Sequence, residues 1–248
     1  MKHDPFELVP GADSDAPLFL TCEHATNIMP PGYVAAAADL PWLQTHWGWD
    51  PGAAALTRAV AAHFEADAAY SRFSRLVIDP NRARDQANLV RAQVEGHPLS
   101  FNVGIDEAEV TRRWETLHAP FHGALSEAVG ARVARGTPFL LFSVHTFTDN
   151  YMGEVRELEF GVLYDQHDPL AEALNDAIAE TGLNTGLNVP YSGKAGLIYS
   201  AHRHGTTHDV PYLEIEARQD LLADDAGVQR MAAKVIQALE MVLPRVVS

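Results

Sequence analysis

"TPFLLFSVHTFTD" (137–149) is an apolar run of strand length that carries no charge before it ends on His145 and Asp149. A strand that reads as one continuous apolar run is covered on both faces, which is the habit of parallel sheets flanked by helices. Its neighbours in the chain agree. "PLFLTCEH" (17–24) reads as a second buried strand, "EFGVLYD" (159–165) as a short one and "VPYLEIEARQD" (210–220) as another. "AAYSRFSRLVIDPNRA" (68–83) is expected to hold a strand ending near Asp79, followed by a loop that Pro80 enforces. Helical patterns alternate with these runs at 51–67, 168–182 and 225–243. Pro51 suits the first turn of the first helix, with Asp50 placed to cap it, and Gly182 suits the end of the second. Residues 106–135 also read as helical, with Pro120 as a break or kink. The expectation is one α/β domain over residues 1–248, with a mixed, mostly parallel sheet and helices on both faces.

Ligands of such folds bind beyond the carboxyl ends of the strands. Three strand ends here carry polar chemistry: Glu23-His24, Asp79 with Asn81-Arg82, and His145. A fourth strand carries Glu214, Glu216 and Arg218 at alternate positions, hence on one face. Two histidines from neighbouring strands can supply two of the three protein ligands of a catalytic zinc site. The third ligand must be an acid, and no HExxH helix provides it. Glu23, Asp50 and Asp79 are the candidates. Glu23 adjoins His24 and should face the other way unless the chain has already turned, so Asp50 is preferred, although the same residue could simply be a helix cap. In "SRLVIDPNRARD" (74–85), Arg82 and Arg84 with Asn81 could hold an anionic group through the planar fork of arginine, or could pair with Asp79 and Asp85 on a solvated loop. Two carboxylates on one strand face suit either a solvent-facing edge or a general base beside an activated water.

Bulk properties narrow the classes. The 248 residues include 47% hydrophobic ones, enough for a large core, and the formal net charge is −15. That charge disfavours nucleic acid and anionic membrane as partners while leaving room for a small anionic substrate in a local arginine cluster. The single cysteine, Cys22, permits no intrachain disulfide. Asp, Glu and Pro interrupt the N-terminal stretch where a signal peptide needs an apolar core, and no run reaches membrane-spanning length, so a cytoplasmic location is expected. A serine hydrolase is disfavoured by the lack of a GxSxG elbow. A binding module for acidic metabolites without turnover is the other alternative.

The segments "TCEHATNIMPPGY", "HWGWDPGAAALT", "SRFSRLVIDPNRA", "FSVHTFTD", "FGVLYD", "NVPYSG" and "LEIEARQDL" occur in an order, from near residue 20 to about 222, that resembles the N-formylglutamate amidohydrolase family. That family is distantly similar to the zinc carboxypeptidases and aspartoacylase. The resemblance implies a carboxypeptidase-like fold and one zinc ion on His24, His145 and an acid. It implies Glu216, rather than Glu214, as catalytic base. Asn81, Arg82 and Arg84 would hold the carboxylate of an N-acyl amino acid such as N-formylglutamate, with Tyr191, Ser192 and Arg218 also near substrate. One position departs: carboxypeptidase-type relatives carry a glutamate three residues after the first histidine, where this chain has Asn27, and Asp50 is offered in its place.

Overall fold

The apolar runs pair into one seven-stranded sheet in the computed structural model, which describes residues 4–246. Its strands are β1 (Phe6–Val9), β2 (Leu18–Cys22), β3 (Asp67–Ser71), β4 (Leu140–Phe147), β5 (Phe160–Leu163), β6 (Thr185–Leu187) and β7 (Tyr212–Arg218). Across the sheet they lie in the order β1-β3-β2-β4-β7-β5-β6. The central β3, β2, β4 and β7 are mutually parallel, as are β5 and β6, while β1 and β5 join β3 and β7 antiparallel. The mixed, mostly parallel sheet expected from the buried runs is therefore present.

Alternation along each strand sends residues to two different layers. Leu18 and Leu20 of β2, Phe142 and Val144 of β4, and Leu213 and Ile215 of β7 share one core. Three helices close it: α1 (Ala53–Phe64), α4 (Asp168–Glu180) and α6 (Asp225–Val242). On the other face Phe19, Leu141 and Tyr212 meet α3 (Ala119–Val133) and α5 (Tyr199–His208). The second face changes character along the strands. Toward their carboxyl ends it presents Ser143 and His145 of β4 beside Glu214 and Glu216 of β7, in the pairs Glu214↔Ser143 and Glu216↔His145. All four are buried.

Three local expectations are corrected. The strand expected to end near Asp79 stops at Ser71, because its partner β2 turns away after Cys22 and leaves no ladder to extend. Residues 72–79 run in turns instead, held by the burial of Phe73, Leu76, Val77 and Ile78, each contributing about 1.5–3 kcal/mol. Asp50 is not the cap of α1, which starts at Ala53 after Gly52; Asp50 gives that helix its backbone carbonyl, and its side chain points elsewhere. Pro120 does not break its helix. A π turn, Trp114–His118, joins α2 (Glu107–Arg113) to α3, and the Ala119 N–H reaches the Trp114 carbonyl, so the ladder is re-registered just ahead of the residue that lacks a donor. Among the described residues, no helix is long and apolar enough to cross a membrane.

Candidate active site

Beyond Cys22 the chain turns, so Glu23 and His24 both face the end of β4 rather than opposite sides of the sheet. The rings of His24 and His145 stand edge to face, 4.7 Å between centroids. Asp50 is pinned beside them because its N–H donates to the His24 carbonyl at 3.0 Å. One oxygen, Asp50 Oδ2, then lies 3.3 Å from His24 Nδ1 and 2.8 Å from His145 Nδ1. The opposite edge of each ring meets a different buried acid: His24 Nε2 is 2.7 Å from Asp79 Oδ1 and His145 Nε2 is 3.1 Å from Glu23 Oε2. Arg75 bonds both Asp79 (2.8 Å) and Asp50 (3.3 Å).

These contacts fix where protons sit. Burial works against ionisation of Asp79 and Asp50, but Arg75 with His24 holds Asp79 well below the usual carboxylate range, and His24 with His145 does the same for Asp50. Glu23 is likewise lowered against burial by its bond to His145. Ionised acids only accept, so both Nε2 atoms carry a proton. Burial opposes a charged His145, yet Glu214, Asp50 and Glu23 together push it well above the ordinary histidine range. Two Nδ1 atoms facing one carboxylate oxygen can be satisfied by protons, or by a divalent cation in their place. His24, Asp50 and His145 fit such an ion: their ligand atoms lie within 4.8 Å of one another, and each ring is backed by a carboxylate, the arrangement that orients imidazole ligands.

On β7, burial pushes Glu214 up to about 7 and Glu216 well above the glutamate value. Glu214 Oε2 accepts from the Asn81 amide at 3.3 Å, whereas Glu216 Oε2 has no partner among the described residues although it is buried. A cavity of about 120 Å³ opens over Glu216 and is lined by His24, Asp50, His145, Arg82, Arg91 and Tyr191, among others. Arg82 donates to the Asn81 carbonyl (2.7 Å) and keeps its Nε uncommitted.

Eight of the residues singled out in the sequence are brought together here: His24, Asp50, His145, Glu214, Glu216, Asn81, Arg82 and Tyr191. Three are not. Arg84 pairs with Glu107 and Thr111 outside the cavity. Arg218 folds onto Asp220 (2.8 Å) and the carbonyl of Arg156, because β7 has left the pocket by that point. Ser192 starts a short 3-10 turn, and Tyr191 alone of that pair lines the cavity. Sequence reading passed over Arg75, Arg91 and His46, which also line it. Arg75 stands four residues before Asp79 in a stretch expected to be strand, where that spacing would have placed the two on one face without contact.

A model of the N-formylglutamate amidohydrolase family matches residues 16–223. Among solved structures, a gene product of Agrobacterium tumefaciens is 30% identical, with a TM-score of 0.90 over 98% of this chain and 96% of its own. An N-formylglutamate amidohydrolase of Ralstonia eutropha JMP134 is 20% identical, with a TM-score of 0.77 over 98% of this chain and 100% of its own. No curated protein sequence matches the chain.

Proposed function

The chain belongs to the N-formylglutamate amidohydrolase family, and on that premise we propose that it hydrolyses the amide bond of an N-acyl amino acid with an acidic side chain, using one zinc ion. The observation that carries this reading is the convergence of two imidazole Nδ1 atoms on one Asp50 oxygen beside Glu216, a buried carboxyl group with a free oxygen. His24, Asp50 and His145 would hold the ion, and their mixed nitrogen and oxygen donors suit zinc. A zinc ion held there supplies Lewis-acid polarisation of the amide carbonyl and lowers the pKa of water toward about 7.

The chain's own groups do the rest. Glu216 Oε2 accepts the proton of the attacking water as its oxygen adds to the acyl carbon. Glu216 then delivers that proton to the nitrogen as the C–N bond breaks, releasing a carboxylic acid and an amine, and the acid's remaining proton passes to the amine to give carboxylate and ammonium. A carboxyl group made more basic by burial suits both transfers. Arg82, whose side chain lines the cavity, binds the substrate carboxylate through its guanidinium, and Asn81 fixes the loop from which Arg82 hangs. Arg75 keeps Asp79 ionised and holds both Asp79 and Asp50 in place. The test is a hydrolysis screen over N-acyl amino acids with zinc content measured in parallel. Zinc-dependent turnover that disappears in Glu216→Gln, with zinc retained, is expected. Turnover that survives complete zinc removal would sink the metal part, and a zinc-loaded protein that cleaves no N-acyl amino acid would sink the whole.

A further inference from the structure

Away from the cavity, three buried imidazoles form a chain that the reaction above does not use. His118 lies in the π turn, His122 on α3 and His204 on α5, and all three are within 1% of full burial. His118 Nε2 is 3.0 Å from the Arg82 carbonyl, and His122 Nε2 is 2.8 Å from the Pro80 carbonyl. Between those two residues, Asn81 Oδ1 accepts from the Ser200 N–H of α5 at 2.9 Å. Each residue of the Pro80-Asn81-Arg82 loop is therefore gripped once by the helical layer. We propose that His118 and His122, with His204 behind them, are positioning residues that set the loop presenting Arg82 to the substrate carboxylate. The proposal rests on the hydrolase reading for the identity of that substrate.

The hydrogen bonds determine the tautomers. A carbonyl only accepts, so His118 and His122 carry their proton on Nε2 and leave Nδ1 bare. His122 Nδ1 then accepts from His204 Nε2, 2.8 Å away, so His204 is also an Nε2–H tautomer. The bare Nδ1 atoms of His118 and His204 are buried and have no partner among the described residues. Stacking fixes the ring planes: Trp114 on His118 at 3.8 Å and 16°, His122 on His204 at 5.1 Å and 17°. Burial pushes His118 down to about 4 and His204 down to about 3, so the rings stay neutral through the physiological range and the grip does not vary. A loop in turn conformation offers carbonyls that no strand can satisfy, and each imidazole supplies a donor from the neighbouring layer. Placement matters because a shift of about 1 Å in a binding group can cost on the order of a hundredfold in rate.

The experiment compares zinc-loaded wild type, His122→Phe and His122→Gln, by hydrolysis of N-formyl-L-glutamate and by calorimetric binding of L-glutamate. We expect His122→Phe to raise KM and Kd about tenfold, the size of one lost buried hydrogen bond, with kcat less affected and zinc unchanged. Glutamine places an N–H near the position of Nε2, so His122→Gln should restore most of the affinity. Equal losses in the two variants, an unchanged KM in His122→Phe, or zinc lost in parallel would overturn the proposal. Long-range nitrogen–proton NMR of the wild type needs no variant to fold: Nε2–H tautomers at His118, His122 and His204 are expected, and an Nδ1–H tautomer at His122 contradicts the scheme. If wild type binds glutamate but hydrolyses nothing, the hydrolase reading fails and the loop is judged on Kd alone. If wild type neither hydrolyses nor binds, both fall. Normal hydrolysis by His122→Phe leaves the function standing and removes the positioning role.

Discussion

Acid should unfold this protein through the imidazoles that fasten its substrate loop, and the size of the effect follows from their burial. His118 is pushed down to about 4 from an ordinary 6.5, so its folded form refuses a proton that the unfolded chain accepts. A depressed folded value means that stability is intact above the unfolded pKa, starts to fall as pH drops below about 6.5, and stops falling near the folded value. Each pH unit inside that window removes about 1.4 kcal/mol, so going from neutral pH to about pH 5 costs roughly 2 kcal/mol through His118 alone. His204, pushed down to about 3, has the same window over that range and contributes a similar amount, again about 2 kcal/mol. Against a typical total of about 5–15 kcal/mol, this is a large fraction. Urea unfolding of wild type and His118→Gln, both in chelator, isolates the His118 share, because glutamine keeps the donor to the Arg82 carbonyl and does not titrate. With an m-value of about 3 kcal/mol per molar, the wild-type midpoint should fall about 0.7 M further than that of the variant on acidification. Parallel declines in the two proteins would refute the assignment of a neutral, buried His118.

Three other substitutions separate the parts of the site. Asp79→Asn removes the ionised partner of His24 Nε2 and should weaken zinc about 10- to 100-fold in a chelator competition, while the chain still folds. Arg91 lines the cavity, lies 5.3 Å over Trp47 and has no carboxylate partner among the described residues, so Arg91→Ala should raise KM about tenfold for N-acyl derivatives of acidic amino acids and little for neutral ones. Equal effects on the two substrate sets would mean that Arg91 does not read the side chain. A Cβ at Gly205 would stand 2.0 Å from Tyr212 Cδ1, so Gly205→Ala should cost about 1–3 kcal/mol by urea titration, as overpacking does.

The sheet was legible wherever strands are buried on both sides. Leu18–Cys22 and Leu140–Phe147 lie within runs that announce themselves by largely continuous apolar residues, and Tyr212–Arg218 by the alternation of Leu213, Ile215 and Ala217 with charged residues. The polar groups at their ends marked the place of the site. Asp50 was legible as an acid near the strand ends, and its approach to both histidines depends on a backbone bond to His24 that no periodicity reveals. Phe6–Val9 and Thr185–Leu187 were not legible. They are short edge strands that pair, among the described residues, with Asp67–Ser71 and Phe160–Leu163 alone, so pairing, not pattern, defines them. The arginines were the hardest to assign. Arg82 and Arg84 look equivalent in sequence, yet one lines the cavity and the other pairs with Glu107, because one turn ends at Arg82 (79–82) and a second begins at Ala83 (83–86).

Helix α5 explains why the layer over the site escaped sequence reading. Helices are recognised by an apolar stripe that matches an apolar face of the sheet. Over α1, α4 and α6 that match holds, since the sheet face beneath them is apolar along its length. α5 packs on Leu141 and Tyr212, at the border where the same sheet face turns to Ser143 and Glu214, and a fully hydrophobic stripe there would leave buried polar groups unpaired at about 1–3 kcal/mol each. The helix that fits is therefore polar on its inner side: "YSAHRHGTTH", with Ser200 and His204 buried alongside Ala201 and Gly205. Ser200 donates its backbone N–H to Asn81 and His204 donates its ring N–H to His122, so His204, one of the residues that hide the helix from a periodicity search, also connects the helical layer to the site. A buried helix lacking an apolar stripe, next to strands whose apolar runs end in acids and histidines, is thus itself a sign of where the chemistry of an α/β sheet lies.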